Sequence, residues 1–227
     1  MDKMNNPTPQ GKSQGIYCRY VKRLLDIVLS AAVMIFFGWL FLLLMLIVRI
    51  NMGSPVFYGS ERVGKDEKLY KNYKFRSMTN ETDENGVLLP SPQRLTKFGR
   101  LLRSTSLDEL PAIWNIFKGD LSIVGPRPLP EKYLPYYYEN ERVRHSVRPG
   151  LTGWAQVNGR NAISWDQKFQ YDIEYVENVS FWMDLKILAL TVVKVLKRSD
   201  IIQDDQQTAS LHIVRADMVK QNQDASV

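Results

Sequence analysis

Cysteine is nearly absent from this chain of 227 residues, which has only Cys18. A single cysteine excludes a disulfide framework within the chain and a cysteine-rich metal site. Zinc-finger spacing, basic repeats and interleaved aromatic RNA-binding motifs are missing as well, so nucleic acid is not an expected partner. These absences suit a domain that faces the cytosol.

Charge is missing from residues 27–48, which read IVLSAAVMIFFGWLFLLLMLIV. As one helix, these 22 residues would extend roughly 33 Å, enough for a hydrocarbon core of about 30 Å. The run is too long for a secretory signal peptide, and no small-residue cleavage site follows it. It therefore predicts a helix that is inserted in a membrane.

Lysine and arginine lie on both sides of this run, so the bias that usually sets the topology of a span gives no answer. One interpretation is a simple span. The other is a re-entrant helix, which leaves the membrane by the face through which it entered. Such a helix needs a break, usually at a glycine or proline, and Gly38 is the only candidate.

The rest of the chain is one domain of about 150 residues, long enough for a sizeable core. We expect an α/β fold, mostly helical with short strands. The predicted boundaries are a flexible lead at 1–19, a membrane-embedded helix at 20–50, the main domain at 51–199 and a polar tail at 200–227. The tail is expected to be mobile, with at most a short helix.

Local patterns predict the main elements of the domain. Residues 56–78 read as a hairpin or two strands, and residues 79–93 as a surface loop. Residues 94–103 form an amphipathic helix whose basic face is either solvated or binds phosphates or headgroups. Residues 185–196 form an apolar-rich helix, which lies either in the membrane interface or against the domain.

An acidic pair, Asp108-Glu109, precedes a helical pattern that stops at Gly119. Ser106 and Glu109 have the spacing of a capping box. That placement would put Pro111 beyond the first turn, where its missing N–H would cost a backbone hydrogen bond. We therefore expect the helix cap to be Asp108 or a later residue.

Carboxylates at a helix N-terminus are favoured in their ionised forms. Adjacent helical residues point about 100° apart, so Asp108 and Glu109 cannot both aim at one atom from the same side, and different roles are natural. The pair is available as nucleophile or metal ligand. Taken alone, it would also be explained as a helix cap.

Two further segments suit a bound ligand. Pro126 and Pro128 hold the backbone around Arg127 stiff and extended, which suits a phosphate. Residues 145–161 combine glycines with arginine, glutamine and asparagine, which favours a binding loop over a core segment. His145 is expected to be solvated or hydrogen-bonded rather than a ligand.

Five segments together resemble the bacterial sugar transferase family, the monotopic polyprenyl-phosphate phosphoglycosyl transferases. They are KRLLD at 22–26, KFRSM at 74–78, SLDELP at 106–111, GPRP at 125–128 and RPGLTGWAQVNGRN at 148–161. Within the family, residues 143–165 and 184–198 resemble most closely the small PglC type.

The resemblance implies transfer of sugar-1-phosphate from a UDP-sugar to undecaprenyl phosphate, with release of UMP. It implies two ping-pong steps through a phosphosugar on Asp108, and a place as the first membrane step of glycoconjugate synthesis. The PglC type further implies an N-acetylated or diacetamido sugar, such as UDP-diacetylbacillosamine. The expected setting is the cytosolic face of the bacterial inner membrane, with interfacial amphipathic helices, membrane lipid and other glycan-assembly enzymes as neighbours.

The resemblance also implies roles for individual residues. Asp108 is the nucleophile, and Glu109 helps to bind Mg²⁺ beside it. The phosphate contacts are Lys74, Arg103 and Arg127, although a surface salt bridge would also explain the first two. Arg148 and its loop are candidates for nucleotide or sugar. Asp184 is a weaker candidate, since it would also serve as a helix cap.

One position departs from the family pattern. The PglC type usually carries Ser-Pro in the middle of its apolar helix, where this chain has Gly38-Trp39. Glycine accepts a bend, but it does not remove a backbone donor as proline does. A re-entrant helix is still the expected topology, since it places the domain and the lipid phosphate together at the cytosolic interface. A rival function also stays open, a non-catalytic membrane-anchored protein that binds a nucleotide or a headgroup.

Overall fold

The computed structural model describes residues 15–159, 163–197 and 210–216. Arg160, Asn161, most of the predicted lead and most of the predicted tail lie outside these ranges. The described fold is mostly helical with short strands, as predicted. Its helices are α1 (Lys22–Met52), α2 (Ser91–Arg94), α3 (Lys97–Ser104), α4 (Ala112–Lys118), α5 (Trp154–Val157), α6 (Trp165–Glu177), α7 (Phe181–Lys197) and α8 (Leu211–Val214).

The strands are short. β1 (Phe57–Val63) and β2 (Leu69–Phe75) form one two-stranded sheet, which confirms the predicted hairpin. β3 (Ser122–Val124) and β4 (Gly150–Thr152) form a second, parallel sheet in which Ser122 lies opposite Gly150. The predicted surface loop after β2 is exposed along most of its length and ends in the short helix α2.

The chain divides into two compact units. The first unit combines the described residues within Met1–Asp26, Glu61–Tyr70 and Gly119–Val227, and the second combines Ile27–Ser60 and Lys71–Lys118. The beginning of α1 therefore belongs to the first unit, and the rest of the helix belongs to the second.

α1 is a single helix of 31 residues, about 46 Å long. Among the described residues, it lies in the one helical stretch that is long and apolar enough to cross a membrane. Its middle exposes large apolar side chains, among them Ile35 at 77% and Phe36 at 72%. Continuous apolar surface of this kind indicates membrane association. The helix continues through Gly38 without the predicted break.

The core of the second unit joins α1 to the hairpin and α3. Leu44 and Val48 of α1 are buried against Phe75 of β2 and Leu102 of α3. Asn115 of α4 is fully buried, and its side-chain amide bonds to backbone groups of β2 on both sides of Asn72. These two hydrogen bonds hold β2 against α4.

The described part of the glycine-rich segment around β4 is largely buried, whereas the sequence favoured a loop over a core segment. A Cβ atom on Gly150 would lie 2.0 Å from the backbone nitrogen of Gly125, so only glycine allows this close approach. Ala155, Gln156 and Val157, which follow, are all buried. The glycines of this stretch bring backbone segments together, a role that turn chemistry alone did not reveal.

Polar contacts hold the beginning of α1 in the first unit. The Asp26 carboxylate accepts hydrogen bonds from the Ile123 backbone N–H at 3.0 Å and from the Ser122 hydroxyl at 3.2 Å. Lys22 forms an ion pair with Asp184 at 2.5 Å. Both pairs are buried or nearly so, and they connect α1 to residues about a hundred or more positions away.

Asp184 accepts several bonds instead of capping α7. Besides Lys22, the hydroxyls of Tyr17 and Tyr175 donate to it at 2.6 and 2.7 Å. The Ser180 hydroxyl accepts from the Met183 N–H in the first turn of α7. The helix-cap interpretation of Asp184 is therefore wrong, and its role is to hold three elements of the first unit together.

One part of the predicted tail is docked. Leu211 of α8 is fully buried in a cluster with the aromatic rings of Tyr133, Tyr137 and Phe169. Arg215, directly after α8, donates to both carboxylate oxygens of Glu141 at 2.7 and 2.8 Å. This described segment fits the expected short helix, but not the expectation of a mobile tail.

Replacing Arg215 by methionine is expected to lower the free energy of unfolding by about 3–5 kcal/mol. The reason is that the buried Glu141 carboxylate loses the cation that compensates its charge. Chemical unfolding of the detergent-solubilised protein measures the change. Arg100→Met, on the exposed face of α3, is the matched control. Equal stability of the two variants would show that α8 is not docked in solution.

Candidate active site

The acidic pair lies in a tight turn between α3 and α4. Leu107–Glu109 form a single 3₁₀ turn, and α4 begins three residues after Glu109, at Ala112. Ser106 has a left-handed backbone with φ of 57°, and its side chain makes no capping bond. The capping-box interpretation of Ser106 and Glu109 is therefore excluded, as the position of Pro111 led us to expect. A non-glycine residue in this conformation is strained, and such strain often marks functional sites.

Asp108 is partly buried, and this burial raises the pKa of its carboxyl. Lys74 acts in the opposite direction, Glu109 raises the pKa further, and Arg103 lowers it. The expected stabilisation by a helix terminus is thus not the main influence. Two cations, Lys74 and Arg103, favour the ionised carboxylate that burial opposes.

Lys74 and Glu109 form an ion pair at this turn, with their side chains 24% and 26% exposed. Lys74 therefore forms a salt bridge, which was one of its two predicted roles. The pair nevertheless lies beside Asp108, so the same ammonium group also faces the candidate nucleophile. An incoming phosphate would meet a cation that is already positioned.

Arg103 reaches the same region from the end of α3. Its Nε donates to the Ser77 hydroxyl at 2.9 Å, which links α3 to the segment after β2. The two segments touch closely, because a Cβ atom on Gly99 would lie 1.8 Å from the Ser77 carbonyl oxygen. The Arg103 side chain is exposed apart from this bond. It is free to turn toward an anion without losing a buried contact.

The pair Asp108-Glu109 fits a magnesium ion only in a particular way. Among the described residues, no group of three or more histidine, cysteine, aspartate or glutamate side chains could hold a metal. Mg²⁺ is commonly bound by one or two carboxylates together with substrate phosphates and water. The residues present fit that arrangement, and they do not fit a cage made of protein ligands alone.

Arg127 and Arg148 belong to the first unit, whereas Lys74, Arg103, Asp108 and Glu109 belong to the second. Arg127 is exposed, and its backbone carbonyl accepts a hydrogen bond from the buried Arg144 at 2.7 Å. This bond holds the proline-flanked segment in place. Arg148 is half-buried, and its Nε donates to the Gly119 carbonyl at 2.8 Å.

Lys168 of α6 is a candidate that the sequence did not suggest. Burial lowers its pKa, and the nearby charge of Arg127 lowers it further. Two cations close enough to repel one another make a favourable place for an anion. A lysine on the face of an ordinary amphipathic helix carries no motif, so only the fold reveals this neighbour of Arg127.

His145 is a buried, hydrogen-bonded side chain. Its Nδ1 lies 3.1 Å from the Glu67 carboxylate. Burial, with a smaller contribution from the Arg144 charge, lowers the pKa of its imidazole to about 4. The ring is therefore neutral at physiological pH and hydrogen-bonded, as predicted.

The chain is similar to known sugar transferases over most of its length. Residues 17–198 match a family described as bacterial sugar transferase. A Bacillus subtilis protein named as the uncharacterized sugar transferase EpsL is 52% identical over 189 residues, which are 83% of this chain and 94% of that protein.

Two named enzymes are more distant relatives. The undecaprenyl-phosphate galactose phosphotransferase of Salmonella typhimurium is 38% identical over 79% of this chain and 41% of its own length. The UDP-glucose:undecaprenyl-phosphate glucose-1-phosphate transferase of Escherichia coli is 38% identical over 78% of this chain and 40% of its own length. The chain thus spans about two fifths of these two enzymes.

Replacing Lys74 by methionine is expected to weaken the binding of UDP in the presence of Mg²⁺ by about tenfold or more, the effect of one lost charged hydrogen bond. Isothermal titration calorimetry measures the affinity. Lys71→Met changes an exposed lysine of the same strand and is the control. An equal affinity for both variants would exclude Lys74 as a phosphate contact.

Proposed function

The chain belongs to the bacterial sugar transferase family, and on that premise we propose that it transfers sugar-1-phosphate from a UDP-sugar to undecaprenyl phosphate. One observation carries the proposal: a partly buried Asp108 lies in a 3₁₀ turn with Glu109 as its neighbour, and it interacts with the charges of two cations, Lys74 and Arg103. Relatives named for undecaprenyl-phosphate sugar transfer support the choice of substrates.

In the first step, an oxygen of the Asp108 carboxylate attacks the phosphorus that carries the sugar. The bond from this phosphorus to the UMP oxygen breaks, UMP leaves, and the sugar phosphate is held as an acyl phosphate on Asp108. Burial makes the carboxylate less hydrated, and the charges of Lys74 and Arg103 favour the ionised form that attacks.

In the second step, a phosphate oxygen of undecaprenyl phosphate attacks the same phosphorus. The bond to Asp108 breaks, which restores the carboxylate and yields undecaprenyl diphosphate sugar. Because UMP leaves before the lipid reacts, the expected kinetics are ping-pong.

Both steps bring an anion to a negatively charged phosphate, so fixed cations must reduce the repulsion. Lys74 and Arg103 hold phosphate oxygens in the second unit. Within the first unit, Arg127 is proposed as a phosphate contact in its own right, with Lys168 as its cationic neighbour. Asp108 and Glu109 would hold Mg²⁺, which supplies charge neutralisation on the phosphates. Lys74, already paired with Glu109, keeps the two carboxylates from repelling the donor before a cation arrives.

The donor predicted from the PglC resemblance is a UDP-linked N-acetylated or diacetamido sugar. The names of two relatives give galactose and glucose as the competing donors. These sugars differ at the positions that carry acetamido groups, so a panel of UDP-sugars separates them directly. Arg148 and its loop are proposed to contact the nucleotide or the sugar.

We also place both ends of α1 on one side of the membrane, the cytosolic side. No second charge-free run comparable to residues 27–48 follows in the sequence, so the domain after α1 stays on one side. The beginning of α1 bonds to this domain through Asp26 and Lys22. The end of α1 packs against it through Leu44 and Val48.

On this proposal the helix does not cross the bilayer. It either bends within the membrane or lies along its surface. Since α1 has no break, re-entry requires a bend, and Gly38 is the residue that accepts one. The proposal therefore keeps the re-entrant topology but replaces the expected break by a bend.

Asp108→Ala is expected to reduce UMP release by about a thousandfold or more, because no other group replaces the nucleophile. The assay combines the purified protein with the UDP-sugar panel, Mg²⁺ and undecaprenyl phosphate, and measures UMP. Wild-type protein incubated with donor alone should release UMP once and gain a phosphosugar that mass spectrometry locates on Asp108.

Glu84→Ala removes an exposed carboxylate of the same unit and serves as the control for this assay. Full UMP release by Asp108→Ala would refute the mechanism. Binding of UDP-sugar without any turnover by the wild-type protein would favour the rival function, a non-catalytic binding protein.

Cysteine labelling checks the topology of α1. In a Cys18→Ser background, Gly15→Cys and Glu84→Cys place one exposed thiol on each flank of the helix. We expect a membrane-impermeant maleimide to label neither thiol in intact cells and both after lysis. Labelling of only one flank in intact cells would establish a span.

A further inference from the structure

The second unit contains an apolar pocket of about 590 Å³. One wall belongs to α1, where Met34, Phe37, Phe41 and Met45 recur every three or four residues and therefore share one face of the helix. Every residue that lines the pocket is uncharged. Its size lies within the range of ordinary ligand sites.

The opposite wall begins at the candidate active site. It includes Leu110, Pro111, Ile113 and Trp114, and Leu110 directly follows Glu109 in the chain. Pro111 has no backbone N–H, so this wall lacks a donor where helical backbone would otherwise expose one. A molecule whose charged end lies at Asp108 can therefore extend an apolar chain into the pocket.

Gly38 lines the pocket and leaves it open. A Cβ atom at this position would meet no atom within 4 Å, so close packing does not require glycine here. Glycine inside a helix is destabilising by about 0.5–1 kcal/mol relative to alanine. Gly38, which the sequence indicated only as a weak helix breaker, thus leaves space beside the candidate active site.

The bilayer is the source of an apolar occupant. The pocket wall lies in the apolar part of α1, whose neighbouring Phe36 and Trp39 side chains are 72% and 65% exposed. An occupant must combine an uncharged chain with a phosphate that suits Lys74 and Arg103. A polyisoprenyl phosphate meets both requirements, whereas the nucleotide donor has no apolar chain.

We propose that this pocket binds the phosphate-proximal isoprene units of the lipid acceptor, and that Gly38 makes room for them. The proposal rests on the proposed function, because it assumes that the acceptor is a polyisoprenyl phosphate. The pocket holds the first few units of a long chain, and the remainder stays in the bilayer. It aligns the acceptor phosphate for attack on the sugar phosphate at Asp108.

Gly38→Phe tests this inference by filling the pocket. We expect the KM for undecaprenyl phosphate to rise about tenfold or more, the loss expected when about two methylene groups no longer find an apolar wall. The single release of UMP without acceptor should keep its rate, because the donor does not enter the pocket. Ile113→Trp, which fills the pocket from α4, should have the same effect without changing α1.

Leu42→Phe is the matched control, because it adds an aromatic ring to α1 at a side chain that is 66% exposed and does not line the pocket. Its KM for the lipid should equal that of the wild type. An unchanged KM in both Gly38→Phe and Ile113→Trp would overturn the inference. The proposed function would survive that result, since it fails only if the wild type releases no UMP.

A photoreactive acceptor identifies the occupant. A polyprenyl phosphate with a diazirine near its phosphate end should label peptides from α1 and α4 in the wild type, and should label them far less in Gly38→Phe. Excess undecaprenyl phosphate should compete for this labelling, and phosphatidylglycerol should not. Equal competition by both lipids would show a general acyl-chain site and overturn the inference.

Discussion

Lys74 pairs with Glu109, and one residue later the chain becomes the apolar wall that starts at Leu110. This boundary between paired charge and apolar surface is the constraint on which the second unit depends. Moving the turn by a single residue would bury a carboxylate in the pocket or expose the wall to water, and both are unfavourable. The left-handed backbone of Ser106 and the ring of Pro111 fix the turn on either side, so the boundary stays where it is.

The supporting contacts act on the segments that carry the cations. The buried Asn115 amide bonds to the Lys71 carbonyl and the Tyr73 N–H, so β2 cannot slide and Lys74 keeps its position. The contact between Gly99 and Ser77 brings α3 against the end of β2, and the hydrogen bond from Arg103 to Ser77 lies across that contact. Fixed donors of this kind need little rearrangement when charge develops on a phosphate, which is the main source of catalysis in phosphoryl transfer.

Local patterns predicted the hairpin, the end of α4 near Gly119 and the failure of Ser106 as a cap, because each depends on neighbouring residues. They did not predict the raised pKa of Asp108, since the burial that raises it is a property of the folded chain. The docking of Arg215 on Glu141, 74 positions apart, has no local signature either. The burial of the glycine-rich stretch around β4 was missed for a related reason. Whether a glycine makes a turn or a close contact depends on which backbone segment lies opposite it in the fold.

Gly38 allows α1 to bend and also allows its backbone to stay hydrogen-bonded, two requirements that usually conflict in a membrane. Proline in the middle of an apolar helix gives a sharp break, but it leaves a backbone carbonyl unpaired, which is costly in a membrane. Glycine retains the backbone N–H that a helix needs, α1 runs through it without interruption, and a gentle bend is still permitted. Its missing side chain also leaves space on the helix face that lines the pocket. The small helix-propensity cost of glycine is offset if the same position both positions α1 in the membrane and admits the lipid to Asp108.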